Sequence, residues 1–271
     1  MFFELFLQAV CLTHCTFQLY DWDALQNEGA HATRPIIHHK CLVSLNIMSS
    51  WNRVTEIALS RMEFPELQSL SGTWLRINFI QDLVRRSSCK LKSLGVDPQL
   101  NNLDAEVHLV NFLAGIPSLE SLFICGCSNP SRRSIDYLFR KLSSTAVNCR
   151  GSFPSPVLLP KLKMLTIRHV GWSWPSLLGL LFEHTSNQSI TTPASGSSGE
   201  SEAHPHVRPL HYVDLGSFTE TDKFTIEPLV AQKLRSILEE TEIKVTIVMN
   251  RGLNSVSLDK FLNSHSSRQP A

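Results

Sequence analysis

Apolar residues recur along this chain in the spacing L-x-x-L-x-L. The clearest copy holds Leu119, Leu122 and Ile124, and Cys127 follows where a leucine-rich repeat carries Asn or Cys. Leu122 and Ile124 are two residues apart and face one side of a short strand, while Leu119 enters the same core from the preceding turn. Because one such unit cannot bury its apolar face alone, the pattern predicts that other copies stack beside it.

Seven further segments fit the same spacing. They are Leu7, Val10 and Leu12 with Cys15 at the turn; Leu42, Leu45 and Ile47; Val54, Ile57 and Leu59 with Met62 at the turn; Leu67 and Leu70 with Gly72 in the third place; Leu91, Leu94 and Val96; Leu162, Leu165 and Ile167 with Val170 at the turn; and Leu210, Val213 and Leu215 with Phe218 at the turn. The 24 and 28 residues from Leu67 to Leu91 to Leu119 agree with repeats of ~20–29 residues. The later gaps of 43 and 48 residues require insertions, and the early gaps of 12 and 13 are too short for a strand and a return helix.

Segments with helical periodicity alternate with these strands. The apolar faces include Phe79, Ile80, Leu83 and Val84; Val107, Val110 and Leu113 after the cap Asp104; Ile135, Leu138, Phe139 and Leu142 after the cap Ser134; and Leu177, Leu178, Leu181 and Phe182 after Ser173 and Pro175. A helix that carries the chain back before each new strand requires parallel strands. The sequence therefore predicts an α/β fold, an irregular leucine-rich-repeat solenoid with a parallel sheet on the concave side and helices on the convex side.

Three segments make up the predicted domain organisation. Residues 1–185 form the leucine-rich-repeat-like solenoid, 186–206 a disordered insert, and 207–271 a C-terminal repeat and cap of the same solenoid. The insert is rich in Ser, Thr, Gly and Pro and has one large aliphatic residue, so burial cannot offset its ordering entropy. Residues 26–35 are a weaker candidate for a loop. The C-terminal segment combines a helix from Pro228, a strand with Ile243, Val245 and Ile247, and a last helix capped by Ser257.

Composition limits the function classes. The 271 residues are 42% apolar and 18% charged, with a formal net charge of +1. A charge near zero gives no reason to expect nucleic acid or an anionic membrane as partner, and the longest apolar runs are far below the ~20 residues of a membrane span. The apolar start has no basic region and is interrupted by Glu4 and Gln8, so it does not resemble a signal peptide. We expect an intracellular protein of the cytoplasm or nucleus, with reduced thiols.

No enzyme motif is recognisable, and neither a cofactor nor a metal is expected. Glycine-rich phosphate loops, a nucleophile elbow and a zinc-protease motif are all missing from the sequence. Cys11, His14, Cys15, Cys125 and Cys127 invite a metal interpretation, but neighbouring cysteines would point to opposite sides of the predicted strands. The basic groups Arg85, Arg86, Lys90 and Lys92, and Arg132 and Arg133, either line a site for an acidic target or are solvated. Trp172 and Trp174 are either contact anchors or half-buried turn residues.

Several segments resemble the leucine-rich regions of fungal F-box proteins. They are Leu-Thr-His-Cys-Thr-Phe at 12–17, Arg-Arg-Ser-Ser-Cys-Lys-Leu-Lys-Ser-Leu at 85–94, Ile-Pro-Ser-Leu-Glu-Ser-Leu at 116–122 and Leu-Leu-Pro-Lys-Leu-Lys-Met-Leu-Thr-Ile at 158–167. The resemblance extends from about Phe3 to Met249. It implies a substrate receptor of a cullin-based ubiquitin ligase, in which repeats hold the target and an F-box docks the adaptor. Since no F-box is recognisable here, we expect adaptor binding only if an F-box exists upstream.

The predicted function is non-covalent binding of a protein target on the concave face. The candidate contact residues lie between the core leucines: Lys92, Glu120, Phe123, Lys163, Thr166, Arg168, Tyr212 and Asp214, together with Asn46, Glu56 and Gly95. Two alternatives stay open, a truncated fragment without function and an α/β enzyme of unknown class. A deep cleft with converging polar groups would favour the enzyme, and a shallow continuous sheet would favour the binding protein.

Overall fold

The computed structural model describes ten segments of the chain. They are residues 8–19, 36–49, 59–72, 77–97, 103–126, 135–143, 157–186, 209–216, 226–249 and 254–266. The chain divides into two compact units, Met1–Asn129 and Pro130–Ala271, which we call the first and second unit. Both combine parallel strands with helices, which confirms the predicted α/β class. That both units belong to one leucine-rich-repeat solenoid stays a prediction.

In the described part of the first unit, five strands come before the first helix, and helices and strands alternate after it. Its elements are β1 (His14–Leu19), β2 (Ile37–His38), β3 (Ser44–Ser49), β4 (Met62–Glu63), β5 (Ser69–Gly72), α1 (Ile77–Ser87), β6 (Ser93–Val96), α2 (Leu103–Ala114) and β7 (Ser121–Cys125). Strands β1, β3, β5, β6 and β7 pair in that order and all run parallel. Strands β2 and β4 form a separate parallel pair.

The leucines of the repeat stack in register inside the first unit. Leu45, Leu70, Leu94 and Leu122 are direct partners on successive strands, and all four are fully buried. The leucines that open the repeats are buried to the same extent, at Leu42, Leu67, Leu91 and Leu119. On the helical side, α1 buries Ile77, Ile80 and Leu83, and α2 buries Leu109, Val110, Phe112 and Leu113. The predicted amphipathic pattern therefore places the core correctly.

The first repeat lies in a different frame from the predicted one. Cys15 pairs with Leu45, and Phe17 pairs with Ile47, so Leu12 opens the repeat and Cys15 is a strand residue rather than a turn residue. Val10, a core residue in the predicted frame, is 62% exposed. The predicted frame is wrong because Cys15 and Phe17 do not match an aliphatic template.

The predicted copy around Leu59 is not a strand of the main sheet. Leu59 is buried, but it precedes β4, which pairs only with β2; Val54 and Ile57 lie outside the described residues. With this copy removed and Leu12 in first place, successive repeats start at Leu12, Leu42, Leu67, Leu91 and Leu119, at spacings of 30, 25, 24 and 28 residues. The corrected spacings leave no gap too short for a strand and a return segment.

One backbone carbonyl per repeat holds the start of the next strand. Thr13 O accepts from Val43 N at 2.8 Å and from Ser44 N at 3.0 Å. The same pair of bonds recurs from Val43 O to Gln68 N and Ser69 N, from Gln68 O to Lys92 N and Ser93 N, and from Lys92 O to Glu120 N and Ser121 N. Because the accepting carbonyl always belongs to the residue after the opening leucine, the repeats are equivalent in their backbone as well as in their core.

The second unit has the same alternation and then an antiparallel end. Its elements are α3 (Asp136–Ser143), β8 (Met164–Arg168), α4 (Trp174–Ser186), β9 (Tyr212–Gly216), α5 (Pro228–Glu240), β10 (Lys244–Met249), β11 (Asn254–Ser257) and α6 (Leu258–Ser266). Strands β8, β9 and β10 are parallel, and β11 is antiparallel to β10. Lys163 O accepts from His211 N and Tyr212 N, as in the first unit. Strand β11 was not predicted, because Asn-Ser-Val-Ser offers a single aliphatic side chain.

Several predicted helix boundaries are confirmed. Ser173 precedes α4 and its Oγ accepts from Ser176 N at 3.4 Å, and Pro228 occupies the first turn of α5. Asp104 lies inside the first turn of α2 rather than before it, and the predicted cap Ser134 is outside the described residues. The predicted insert 186–206 lies outside them too, apart from Ser186, as does the loop 26–35. Within the described part of the chain, no helix is long and apolar enough to cross a membrane.

Candidate protein-binding face

The predicted contact residues lie at equivalent strand positions in the two units. Lys92, Glu120 and Lys163 follow an opening leucine. Their backbone groups take part in the recurring bonds between one carbonyl and two N–H groups of the next strand, which we call the carbonyl ladder. Phe123, Thr166 and Asp214 occupy the middle of a strand, between two buried residues. Tyr212 begins β9 and Arg168 ends β8. We call the side of each unit's sheet that carries residues between the buried leucines its open face.

A row of serines crosses the open face of the first unit. Ser44, Ser69, Ser93 and Ser121 are direct partners on four successive strands, and each is half-buried. The row results from a serine that precedes the second leucine in four consecutive repeats, as in Leu-Gln-Ser-Leu and Leu-Lys-Ser-Leu. The sequence contains this signal, but the apolar repeat pattern does not include the serine positions.

A second row of short side chains lies beside the serines and ends in an aromatic ring. Asn46, Ser71, Gly95 and Phe123 are partners in register, and the Ser71 hydroxyl donates to Asn46 Oδ1 at 2.8 Å. A Cβ at Gly95 would lie 2.9 Å from Ser71 Cβ and 3.6 Å from Phe123 Cδ1. The absence of a side chain at Gly95 thus leaves room for Ser71, and the Phe123 ring at the end of the row is 41% exposed.

Lys92 and Glu120 flank these rows at the beginning of the strands. Lys92 is exposed and Glu120 is half-buried. Among the described residues of the two rows themselves, no side chain is charged. The two rows therefore form a neutral, mainly hydroxyl-bearing surface with one phenyl ring, and Lys92 and Glu120 add charged side chains where the strands begin.

An ion pair dominates the open face of the second unit. The Arg168 guanidinium donates a hydrogen bond to Asp214 Oδ2 on the neighbouring strand. The Arg168 side chain also lies over Gly216, where a Cβ would be only 2.7 Å from Arg168 Cδ. Side-chain exposure is 27% for Arg168 and 8% for Asp214. Asp214, one of the candidate contact residues, is therefore largely covered, because the Arg168 side chain lies across this part of the strand.

The beginning of the same strands is more open. Met164, Tyr212 and Lys244 are partners in register; Met164 is 44% exposed, Lys244 is exposed and Tyr212 is half-buried. Thr166, opposite Asp214, is half-buried, and Lys163 is exposed. Accessibility on this face thus decreases from the first strand residues towards Asp214 and Gly216.

His169 follows Arg168 and has a left-handed backbone, with φ of 62°. Burial lowers the pKa of the His169 imidazole, and the positive charge of Arg168 lowers it further. The imidazole is therefore held in its neutral form at a turn that directly follows the ion pair. No property of the sequence signalled this residue, because its environment depends on the fold.

The cysteines of the described segments are free thiols. Cys11 is exposed, and Cys15, Cys41, Cys89 and Cys125 are half-buried. Burial raises the pKa of the Cys15 and Cys89 thiols. Within the segments that the structure describes, no three His, Cys, Asp or Glu side chains come together as metal ligands.

The structure shows contacts for some of the basic and tryptophan residues whose role the sequence left open. Arg86 donates to Leu59 O at 3.2 Å, and Arg85 pairs with Asp82 one helical turn away at 2.9 Å. Trp174 stacks on the buried Phe261 with ring centroids 5.7 Å apart, and Trp172 meets Trp174 edge-on at 4.9 Å. The Trp174 ring therefore packs on α6, and the Arg86 guanidinium is hydrogen-bonded to the backbone. Arg132 and Arg133 lie outside the described residues.

The chain was also compared with known proteins. No family model matches it, and no curated protein matches it.

Proposed function

We propose that this chain is a non-catalytic protein-binding scaffold, built as an irregular leucine-rich-repeat solenoid with its strands on the concave side and its helices on the convex side. The observation that carries the proposal is the equivalence of the repeats in the first unit. Successive strands share buried leucines in register, one carbonyl that accepts two N–H groups, and an open face of Ser44, Ser69, Ser93 and Ser121. Stacked repeats of this kind generate extended binding surfaces.

The open face of the first unit has the composition of a contact surface. Short hydroxyl side chains allow a partner's backbone to approach closely, and Phe123, 41% exposed, offers the type of aromatic anchor that is enriched in binding hot spots. The leucines beneath are fully buried and support the core. Truncation of the Phe123 ring is therefore expected to alter binding with little effect on packing.

The proposed biological context is that of the F-box resemblance. In that context the repeats recognise a protein destined for ubiquitination, while a separate F-box module contacts the ligase adaptor. The chain by itself then binds the target but not the adaptor. The proposal includes no membrane, nucleic acid or cofactor.

A photo-crosslinking experiment tests this proposal. A benzoylphenylalanine replaces Phe123 in one variant and Leu229, which is 61% exposed on α5, in the control. Both variants are irradiated in a cell extract and the crosslinked proteins are identified by mass spectrometry. We expect a discrete protein from position 123 only. The same set of proteins from both positions, or none from position 123, would contradict the proposal.

A further inference from the structure

Two free thiols lie at equivalent places in the first two repeats. Cys11 directly precedes the leucine that opens the first repeat, and Cys41 directly precedes the leucine that opens the second. The partners on β1 and β3 are 30 residues apart, as His14 and Ser44 are, and the two cysteines have the same separation. We call Cys11 and Cys41 the thiol pair.

Contacts on both sides of the thiol pair hold the two turns side by side. Two residues before the cysteines, His39 Nε2 donates to Ala9 O at 2.9 Å. Two residues after them, Val43 N donates to Thr13 O at 2.8 Å. Neighbouring parallel strands are ~4.8 Å apart, which lies within the ~4.4–6.8 Å that a disulfide allows between its Cα atoms. The register therefore places the two thiols within reach of each other.

An equivalent turn shows where the side chain at this position points. Ser118 directly precedes the opening Leu119, and its hydroxyl donates to Leu91 O of the preceding repeat at 2.7 Å. Both Ser118 and Cys41 are half-buried. Because Cys41 has the same place in the second repeat, its sulfur is expected to point to the first repeat, beside Cys11.

The other cysteines of the described segments do not share this arrangement. Cys15 is the register partner of Leu45, and neither Cys89 nor Cys125 has a cysteine at the equivalent place of a neighbouring repeat in the first unit. Burial raises the pKa of the Cys15 and Cys89 thiols, which lowers the fraction of reactive thiolate. The thiol pair combines an exposed and a half-buried sulfur, so that a small reagent can reach it.

We propose that Cys11 and Cys41 are a redox-sensitive pair, which a small disulfide such as glutathione disulfide oxidises to an intramolecular disulfide. The exposed Cys11 thiolate attacks one sulfur of the oxidant, so a mixed disulfide forms and one glutathione thiolate leaves. The Cys41 thiolate then attacks the Cys11 sulfur and displaces the second glutathione. Two electrons pass from the cysteine sulfurs to glutathione disulfide, and the two thiol protons end on the two glutathione thiols.

Oxidation fastens the part of the first unit that has the least buried core. Cys15 and Phe17 of the first repeat are half-buried, whereas their partners Leu45 and Ile47 are buried. A disulfide across residues 11–41 restricts the unfolded chain, and this stabilisation increases with the length of the closed loop. The oxidised chain is therefore expected to melt at a higher temperature than the reduced one. This inference does not depend on the proposed binding function.

Oxidation of the full chain with glutathione disulfide, followed by digestion with trypsin and mass spectrometry without reduction, tests the inference. Cleavage after Lys40 and Arg53 isolates Cys41 in the peptide 41–53, while Cys11 and Cys15 both lie in residues 1–40. We expect these two peptides to be linked in the wild type and unlinked in Cys11→Ser. The matched control Cys15→Ser, which removes the other thiol of the first peptide, is expected to keep the link.

Two further measurements separate a pair set by the fold from general thiol reactivity. The same oxidation in concentrated urea is expected to spread over the seven cysteines and to give less of the linked peptide. Cys41→Ser is expected to accumulate the mixed disulfide of Cys11 with glutathione. Equal yields of the linked peptide in buffer and in urea, a bond between Cys11 and Cys15, or a mixed disulfide as the final product of the wild type would overturn the inference.

Thermal unfolding tests the effect of the disulfide on the fold. The wild type is expected to gain stability on oxidation and to lose the gain when dithiothreitol is added, while Cys11→Ser is expected to melt at one temperature in both conditions. Melting of the reduced variants also shows that they are folded, so that a missing link reflects the missing thiol. Equal melting temperatures of the oxidised and reduced wild type would overturn the assigned effect on the first repeat.

Discussion

Arg168, the last residue of β8, donates a hydrogen bond to Asp214 in the middle of β9 and lies over Gly216 on the same strand. The pair joins neighbouring strands whose residues are 46 positions apart in sequence. Since the Asp214 side chain is only 8% exposed, its charge depends on Arg168 for compensation. Asp214 therefore takes part in an ion pair that connects two strands, and its role as a contact residue stays a prediction.

Removal of Arg168 is expected to destabilise the second unit. Arg168→Gln leaves the buried carboxylate of Asp214 without its ion-pair partner, at a cost of about 1–3 kcal/mol once the 27% exposure of Arg168 is considered. Asp214→Asn in the same chain is expected to recover part of the loss, because the amide needs no counter-charge. Urea unfolding of the two single variants and the double variant measures the coupling; strict additivity would contradict it.

Adjacent residues of β7 are expected to respond oppositely to the same substitution. Leu122→Asp places a charge in the fully buried core and should unfold the first unit, since leucine truncation alone costs ~2–5 kcal/mol. Phe123→Asp affects a 41% exposed side chain and should cost no more than about 1 kcal/mol. Circular dichroism and chemical denaturation compare the two. Equal damage would mean that β7 is buried on both faces.

Gly95 is expected to tolerate no side chain while Ser71 is present. The Cβ of Gly95→Ala would approach Ser71 Cβ to 2.9 Å, and relief requires the strands to shift, at about 1–3 kcal/mol. Ser71→Gly removes the opposing atom, so Gly95→Ala should cost less in that background than in the wild type. Thermal unfolding of the four chains provides the comparison, and an equal cost in both backgrounds would exclude the contact as the cause.

The stability of the second unit is expected to fall in mild acid, in part through His169. Its pKa is lowered in the folded chain, so the unfolded chain takes up a proton first as the pH decreases. The stabilisation is present above the unfolded value of ~6.5 and is lost as the pH falls towards the lower folded value. His169→Asn suits the left-handed backbone and removes the titration. Denaturation between pH 7 and 5 should therefore give a flatter profile for the variant; identical slopes would contradict this assignment.

The core of this fold could be predicted from the sequence, but the detail of its open faces could not. Period-two leucines identified β3, β5, β6 and β7, because burial of an aliphatic side chain leaves a direct trace in the sequence. Cys15 and Phe17 are not aliphatic, and the pattern therefore predicts the wrong frame for the first repeat.

The geometry of the candidate sites depends on which side chains neighbouring strands place next to one another. The sequence predicted that Lys163, Thr166 and Tyr212 lie outside the core, and the structure agrees. It could not show that Arg168 lies over Gly216, because cross-strand contacts depend on insertions of unequal length between repeats. The serine row is present in the sequence as Ser-Leu pairs, but the apolar pattern that predicts the repeats carries no information about hydroxyl side chains.

The carbonyl ladder of the first unit has a consequence for how this unit comes apart. Each ladder carbonyl ties the start of one strand to the strand before it, so every repeat is secured only by its immediate neighbours. Strand β1 has a partner on one side within this unit, whereas β5 has partners on both. Amide hydrogens should therefore exchange earliest at β1 and latest around β5, as fraying proceeds inward one repeat at a time.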